Sequence, residues 1–137
     1  WVPALATAAA GIAIAVLVWP QAAPLPTHQL TGTALAPNAT AAATLETKSA
    51  GIAITLDITG LGPAGPGNYY AAWMRGSQGT VPLGSFHWKV GGIPIDLWSG
   101  VDPNLYPELI VTLEREADGP EPSDQIVLTG RVDSGSG

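Results

Sequence analysis

Two histidines and one methionine, His28, His87 and Met74, are the side chains best suited to hold a soft metal, because imidazole and thioether together suit copper. Their spacing forms no recognisable ligand pair. His28 opens the patterned part of the chain and His87 stands beside Trp88, so surface or edge histidines are the simpler reading. A Ser/His/Asp hydrolase would need His87, yet no serine sits in a Gly-x-Ser-x-Gly elbow. The acids gather late: Asp102, Glu108, Glu114, Glu116, Asp118, Glu121 and Asp124, with Arg115 as the one base among them. They lack the alternating ligand ladder of a calcium loop, and Pro120 and Pro122 space the last of them apart, which is the pattern of a solvated acidic face. No two of them stand out as a glycosidase pair. The chain has no cysteine, which removes thiol nucleophiles, zinc–thiolate sites and disulfides. No catalytic, metal-binding or cofactor-binding residue is assigned, and the chain reads as a non-enzyme.

Aromatic residues offer a different chemistry, that of recognition. Tyr69, Tyr70, Trp73, Phe86, Trp88 and Trp98 form the candidate interaction surface. On a strand, Tyr70, Ala72 and Met74 share one face and Tyr69, Ala71 and Trp73 the other, so one set packs inside and the other is left for a sugar or peptide. The competing reading gives most of these rings to a core that no disulfide reinforces. Nucleic acid is excluded as a partner: five Lys and Arg against eleven Asp and Glu, for a net charge of −6, cannot track phosphates. Asn38-Ala39-Thr40 matches a glycosylation sequon, a triplet common by chance.

The elements that must position these groups are strands. Ile52, Ile54, Leu56 and Ile58 alternate with Ala53, Thr55, Asp57 and Thr59, the period of a half-buried strand. Similar runs lie near His28 to Leu35, Ala39 to Thr47, Tyr69 to Arg75, Val81 to Trp88, Ile93 to Trp98, Leu109 to Glu116 and Ile126 to Val132. Breaks rich in Gly, Pro, Asn and Asp separate them, and 17 Gly with 13 Pro in the chain make short strands and many turns the expected organisation. The fold class expected is all-β, an antiparallel sandwich of immunoglobulin-like or related topology over residues 28–132. Residues 133–137 read as a frayed tail.

Upstream of the strands the pattern is different. Trp1 to Trp19 carries no charge and, as a helix of roughly 28 Å, reaches across a bilayer core. Ile12, Ile14, Val16, Leu17 and Val18 drive insertion, and Trp1 and Trp19 fit interfacial anchors. Pro20, Pro24 and Pro26 stiffen a linker over residues 20–27. The first Lys or Arg after the helix is Lys48, so the flank lacks the positive charge of a cytoplasmic loop. A single-pass protein of the cell membrane is expected, contacting lipid through residues 1–19, with its C-terminal domain outside the cytoplasm. The opening at Trp1 instead of Met reads as a piece of a longer protein.

Three segments taken in order resemble one family. Asn68-Tyr69-Tyr70-Ala71-Ala72-Trp73-Met74, then Val81-Pro82-Leu83-Gly84-Ser85-Phe86, then Val111-Thr112-Leu113-Glu114 leading to Gly119-Pro120-Glu121-Pro122-Ser123 and Ile126 to Gly130, look like the anti-sigma-K factor family. The matching features are Tyr70 and Trp73, Gly84 and Phe86, and Val111 to Glu114, and the preceding apolar run agrees with them. The resemblance implies an extracytoplasmic β-sandwich that controls, through the membrane, a cytoplasmic segment binding a sigma factor, with release by envelope and intramembrane proteases. The proline-rich linker and the small-residue stretch Ala8 to Gly11 are where proteases would act. No sigma-binding segment lies within these residues. The rival readings are a tethered module binding glycan or peptide, and a structural component of a larger envelope assembly.

Overall fold

The computed structural model describes residues 2–4, 8–15 and 25–133. Eight strands follow one another with no helix among the described residues: β1 Thr27–Gly32, β2 Thr40–Lys48, β3 Gly51–Thr59, β4 Asn68–Gly76, β5 Gly79–Phe86, β6 Ile95–Ser99, β7 Glu108–Arg115 and β8 Ile126–Arg131. Each lies on a run that the sequence marks. The ends differ by a few residues: β1 stops at Gly32, where the Ala36 carbonyl oxygen of the following turn closes in so tightly that a Cβ would stand 1.9 Å from it. β5 stops before Trp88, whose indole turns inward and donates to the Leu61 carbonyl at 3.0 Å.

All ladders are antiparallel, so the all-β antiparallel expectation holds, but the strands form one continuous sheet in the order β5-β4-β7-β8-β1-β2-β3-β6. In place of two separate sandwich sheets, this one curls until its two edges face each other, giving a nearly closed barrel. Bulges between Ala72 and Trp73 and between Val111 and Thr112 sharpen the curl, because an extra residue on one strand increases local twist. At the seam, a Cβ on Gly84 of β5 would lie 3.1 Å from Leu97 Cδ2 of β6. Gly84 also has a φ of +151°, a backbone conformation that favours glycine. Pro82 on β5 blunts that edge, since it offers no N–H to a further strand.

Alternation fills the interior. Ile54, Leu56 and Ile58 of β3 meet Ala41, Ala43 and Leu45 of β2, Tyr70, Ala72 and Met74 of β4, and Leu109 and Val111 of β7 in one core. Leu30, Leu56, Met74 and Leu109 are wholly buried there. The Tyr70 hydroxyl reaches past the apolar side chains and donates to the Gly62 carbonyl at 2.7 Å, which satisfies its polar end.

Strand ends define two poles. One pole gathers the incoming chain at Leu25 and Pro26, the β2–β3 hairpin, the segment 100–107 and the end of β8; the other gathers the turns at 33–39, 60–67, 87–94 and 116–125. Pairing with β2 begins one residue ahead of β1, where Leu45 N–H donates to the Pro26 carbonyl at 3.3 Å. Part of the expected linker is therefore built into the sheet.

The described residues of the apolar segment, 2–4 and 8–15, carry no helix, and no helix among the described residues is long and apolar enough to cross a membrane. Val2, Ile12 and Ile14 are 91%, 88% and 82% exposed, touching no core of the domain. An alanine-rich run gains little from helix formation in water, whereas in lipid every backbone group has to be satisfied within the helix. Trp1, Trp19, residues 5–7 and 16–18, Pro20, Pro24 and the tail 134–137 lie outside the described residues.

Candidate functional site

Two places combine polar chemistry with enclosure. The first is built by β4, β7 and the segment that follows β7. Thr112 and Glu114 point to the outer face of the barrel, yet they are 0% and 2% exposed. The segment from Glu116 to Gln125 runs back over them as a strap. Ser123 latches it: its N–H donates to Glu114 Oε1 at 2.9 Å and its hydroxyl to the Leu113 carbonyl at 2.7 Å. Beneath the strap, Trp73 Nε1 donates to Thr112 Oγ1 at 2.8 Å, and Thr112 Oγ1 donates to Glu114 Oε1 at 2.5 Å. Among the described residues no buried side-chain nitrogen or oxygen is left without a partner. Ala71, Trp73 and Ile110 form a small second core there, with Tyr69 and Ile126 packed on it.

The three segments that look like the family motif thus converge. Trp73, Thr112, Glu114 and Ser123 share one hydrogen-bonded chain, while Tyr70 faces Phe86 across β4 and β5 with ring centroids 6.0 Å apart. Chemically this arrangement can hold a strap to a strand, since the Trp73 N–H, the Thr112 hydroxyl, Glu114 Oε1 and both Ser123 donors are engaged in it. Sequence reading placed Glu114 on a solvated acidic face; the structure corrects that by burying it. The available signal was that Thr112 and Glu114 alternate onto the same face as Trp73 in register, opposite a Gly/Pro-rich segment able to fold back.

The second place is a cleft of about 700 Å³ at the pole where the chain enters. Leu45, Ile52, Val101 and Val132 give it an apolar floor, and His28, Thr47, Lys48, Asp102 and Asp133 stand around it. Most of that charge is already engaged: Lys48 with Glu46 at 2.6 Å and Asp133 with Arg131 at 2.7 Å. Asp102 Oδ1 accepts from the Asn104 backbone at 2.9 Å. The mouth of a β-barrel with a mostly apolar lining is a common place for a small ligand.

The remaining marked residues are distributed as follows. Tyr70, Trp73 and Trp88 of the proposed aromatic surface are buried, Tyr69 and Phe86 are half-buried, and Trp98 is 46% exposed. Trp98 lies on β6, away from the β4 aromatics. His28 and His87 fall at opposite poles and Met74 is in the core, so these three are not brought together. Among the late acids, Glu116, Asp118, Glu121 and Asp124 are exposed, and Asp118 pairs with Arg115 at 3.0 Å. Glu108 receives a two-pronged bond from Arg75, with Nε at 2.9 Å and Nη2 at 2.7 Å. That hydrogen bond from Arg75 holds the Glu108 carboxyl below the usual carboxylate range.

Neither a curated protein nor a solved structure matches the chain. A family model, described as anti-sigma-K factor rskA, C-terminal, matches residues 4–126, from Ala4 in the apolar segment to Ile126 at the start of β8. The match contains Tyr70, Trp73, Gly84, Phe86, Thr112, Glu114 and the strap, and on its extent the chain belongs to the family of anti-sigma-K factor rskA C-terminal domains.

Proposed function

We propose that this chain is the tethered, extracytoplasmic regulatory part of a transmembrane anti-sigma factor. The observation that carries the reading is the family match running from Ala4 to Ile126, which takes the uncharged apolar segment and the β domain together as one unit. In this reading residues 1–19 cross the bilayer as a helix, the domain stands outside the cytoplasm, and a segment upstream of Trp1 holds the sigma factor. The domain does no chemistry. It governs access of envelope and intramembrane proteases to the chain between helix and barrel, and release of the upstream segment frees the sigma factor. The cleft supports a sensing role because Pro26 and His28, at the point where the tether joins the barrel, are part of its wall.

Topology is directly testable because the chain has no cysteine of its own. Ser77→Cys, in the exposed β4–β5 turn, should react with a membrane-impermeant maleimide in intact cells. Labelling only after lysis would refute the extracytoplasmic placement. For the regulatory claim, removal of residues 25–133 from the full-length protein should change the output of a sigma-dependent reporter; unchanged output in every growth condition sinks it. A second reading, a tethered ligand-binding module, draws on Trp98 and its surroundings.

A further inference from the structure

The two outer faces of the sheet are finished differently. Over β4 and β7 the strap covers Trp73, which is 7% exposed. The strands β1, β2, β3 and β6 present outward a field of exposed polar side chains that includes Gln29, Thr40, Asp57 and Asp96. In this field stands Trp98, opposite Ala53, which is in turn opposite Glu46. A Cβ at position 51 would lie 3.1 Å from Trp98 Nε1 and 3.3 Å from Cε2, so the indole rests across Gly51 where a side chain would displace it. Gly51 and Ala53 beneath it are small, and the ring is 46% exposed. The indole N–H groups of Trp73 and Trp88 are bonded within the protein, whereas that of Trp98 has no protein partner among the described residues.

We infer that this face binds a neutral carbohydrate, with Trp98 as the platform on which one pyranose ring stacks. An aromatic plane laid on a sheet matches the apolar C–H face of a sugar ring, and polar groups at its border match the hydroxyls. Here the border holds the Trp98 N–H as donor and Asp96 as acceptor. Asp96 lies two residues back on the same face, where Thr55 Oγ1 donates to it at 3.4 Å. Charge complementarity selects the kind of sugar. Glu46 is engaged by Lys48 at 2.6 Å, and the chain as a whole carries −6, which repels polyanionic glycans. A single carboxylate beside the ring suits hydroxyl donors better than a polycation. The site is independent of sigma-factor control: loss of sugar binding leaves the regulatory proposal standing, and the reverse also holds.

The test is a titration of the full chain, isotopically labelled at tryptophan nitrogen, with cellotetraose, chitotetraose and maltotetraose at up to millimolar concentration. The indole resonance of Trp98, identified by its loss in Trp98→Ala, should move saturably with at least one of them while those of Trp73 and Trp88 stay. Trp98→Ala should weaken that binding by roughly tenfold or more, the worth of one aromatic stack, while its far-ultraviolet circular dichroism spectrum shows the β fold retained. Absence of a saturable shift with all three sugars overturns the inference, as does undiminished binding by Trp98→Ala. A shift of Trp98 with tetralysine alone overturns it in favour of a cationic ligand.

Discussion

Replacing Thr112 by valine tests the buried chain beneath the strap most sharply, because the two side chains share a shape and differ by one hydroxyl. That hydroxyl is wholly buried, accepts from Trp73 at 2.8 Å and donates to Glu114 at 2.5 Å. Its removal strands the Trp73 N–H, and an unpaired buried donor costs about 1–3 kcal/mol. Glu114 Oε1 keeps the Ser123 N–H at 2.9 Å but loses its shorter donor, adding about 1 kcal/mol. Valine returns at most about 1 kcal/mol through β-propensity and apolar contact. The net loss is about 1–4 kcal/mol, a large share of the roughly 5–15 kcal/mol that holds a domain of this size together. Urea unfolding followed by far-ultraviolet circular dichroism reads it directly, and the thermal midpoint should fall by roughly 5–20 °C. Thr112→Ser, which keeps the hydroxyl, should recover most of the loss. In a cycle with Trp73→Phe the two substitutions should couple by about 1 kcal/mol or more, since each removes one end of the same bond. A Thr112→Val chain within about 0.5 kcal/mol of the parent, well below the cost of an unpaired buried donor, would refute the reasoning.

Other expectations follow from the same geometry. Ser123→Ala removes the hydroxyl bond to the Leu113 carbonyl, so backbone amides of Glu116 to Gln125 should exchange faster with solvent while those of β3 stay protected; uniform protection would mean that Ser123 is not the latch. Gly84→Val should destabilise by about 1–3 kcal/mol in the same urea assay, because a φ of +151° is strained for valine and its Cβ would press on Leu97; a neutral result would mean that the seam opens freely. The Arg75–Glu108 pair gives a pH signature. Glu108 is held below its ordinary value of 4.5, so its contribution is present above that pH and is lost as pH falls through the lower folded value. Arg75 is 40% exposed, which limits the effect to about 1 kcal/mol or less. Glu108→Gln should therefore be less stable than the parent at pH 7 and converge with it well below 4.5, and equal stability at both ends contradicts the assignment.

Much of this was legible in the residues. The alternation of β3 and the turn residues between runs mark eight strands, and the aromatic alternation on β4 separates Tyr70, Ala72 and Met74 from Tyr69, Ala71 and Trp73, of which the fold puts the first set in the main core. The other face was less legible. Alternation puts Trp73 on the face opposite Tyr70 without saying which face is covered; it stands on the outer face, and a strap from a distant part of the chain covers it. Nothing local to Trp73 records that cover. Trp98 shows the converse: it belongs to the same list of aromatics by type, and only the register with Gly51 and Ala53 leaves it lying open on the sheet.

Side-chain period, turn chemistry and charge are local properties, and with them the amino-acid sequence by itself determined an antiparallel all-β chain, its strand positions and an uncharged apolar segment ahead of them. Which strands are neighbours is settled by long-range pairing, and periodicity is silent about it because any two half-buried strands can pair. Tertiary structure alone decided that β1 sits between β2 and β8, that the sheet curls until Gly84 meets Leu97, and that Glu114 is buried beneath Ser123. Burial of a polar side chain depends on a partner arriving from elsewhere in the chain to satisfy it, and that arrival exists only once the fold is made.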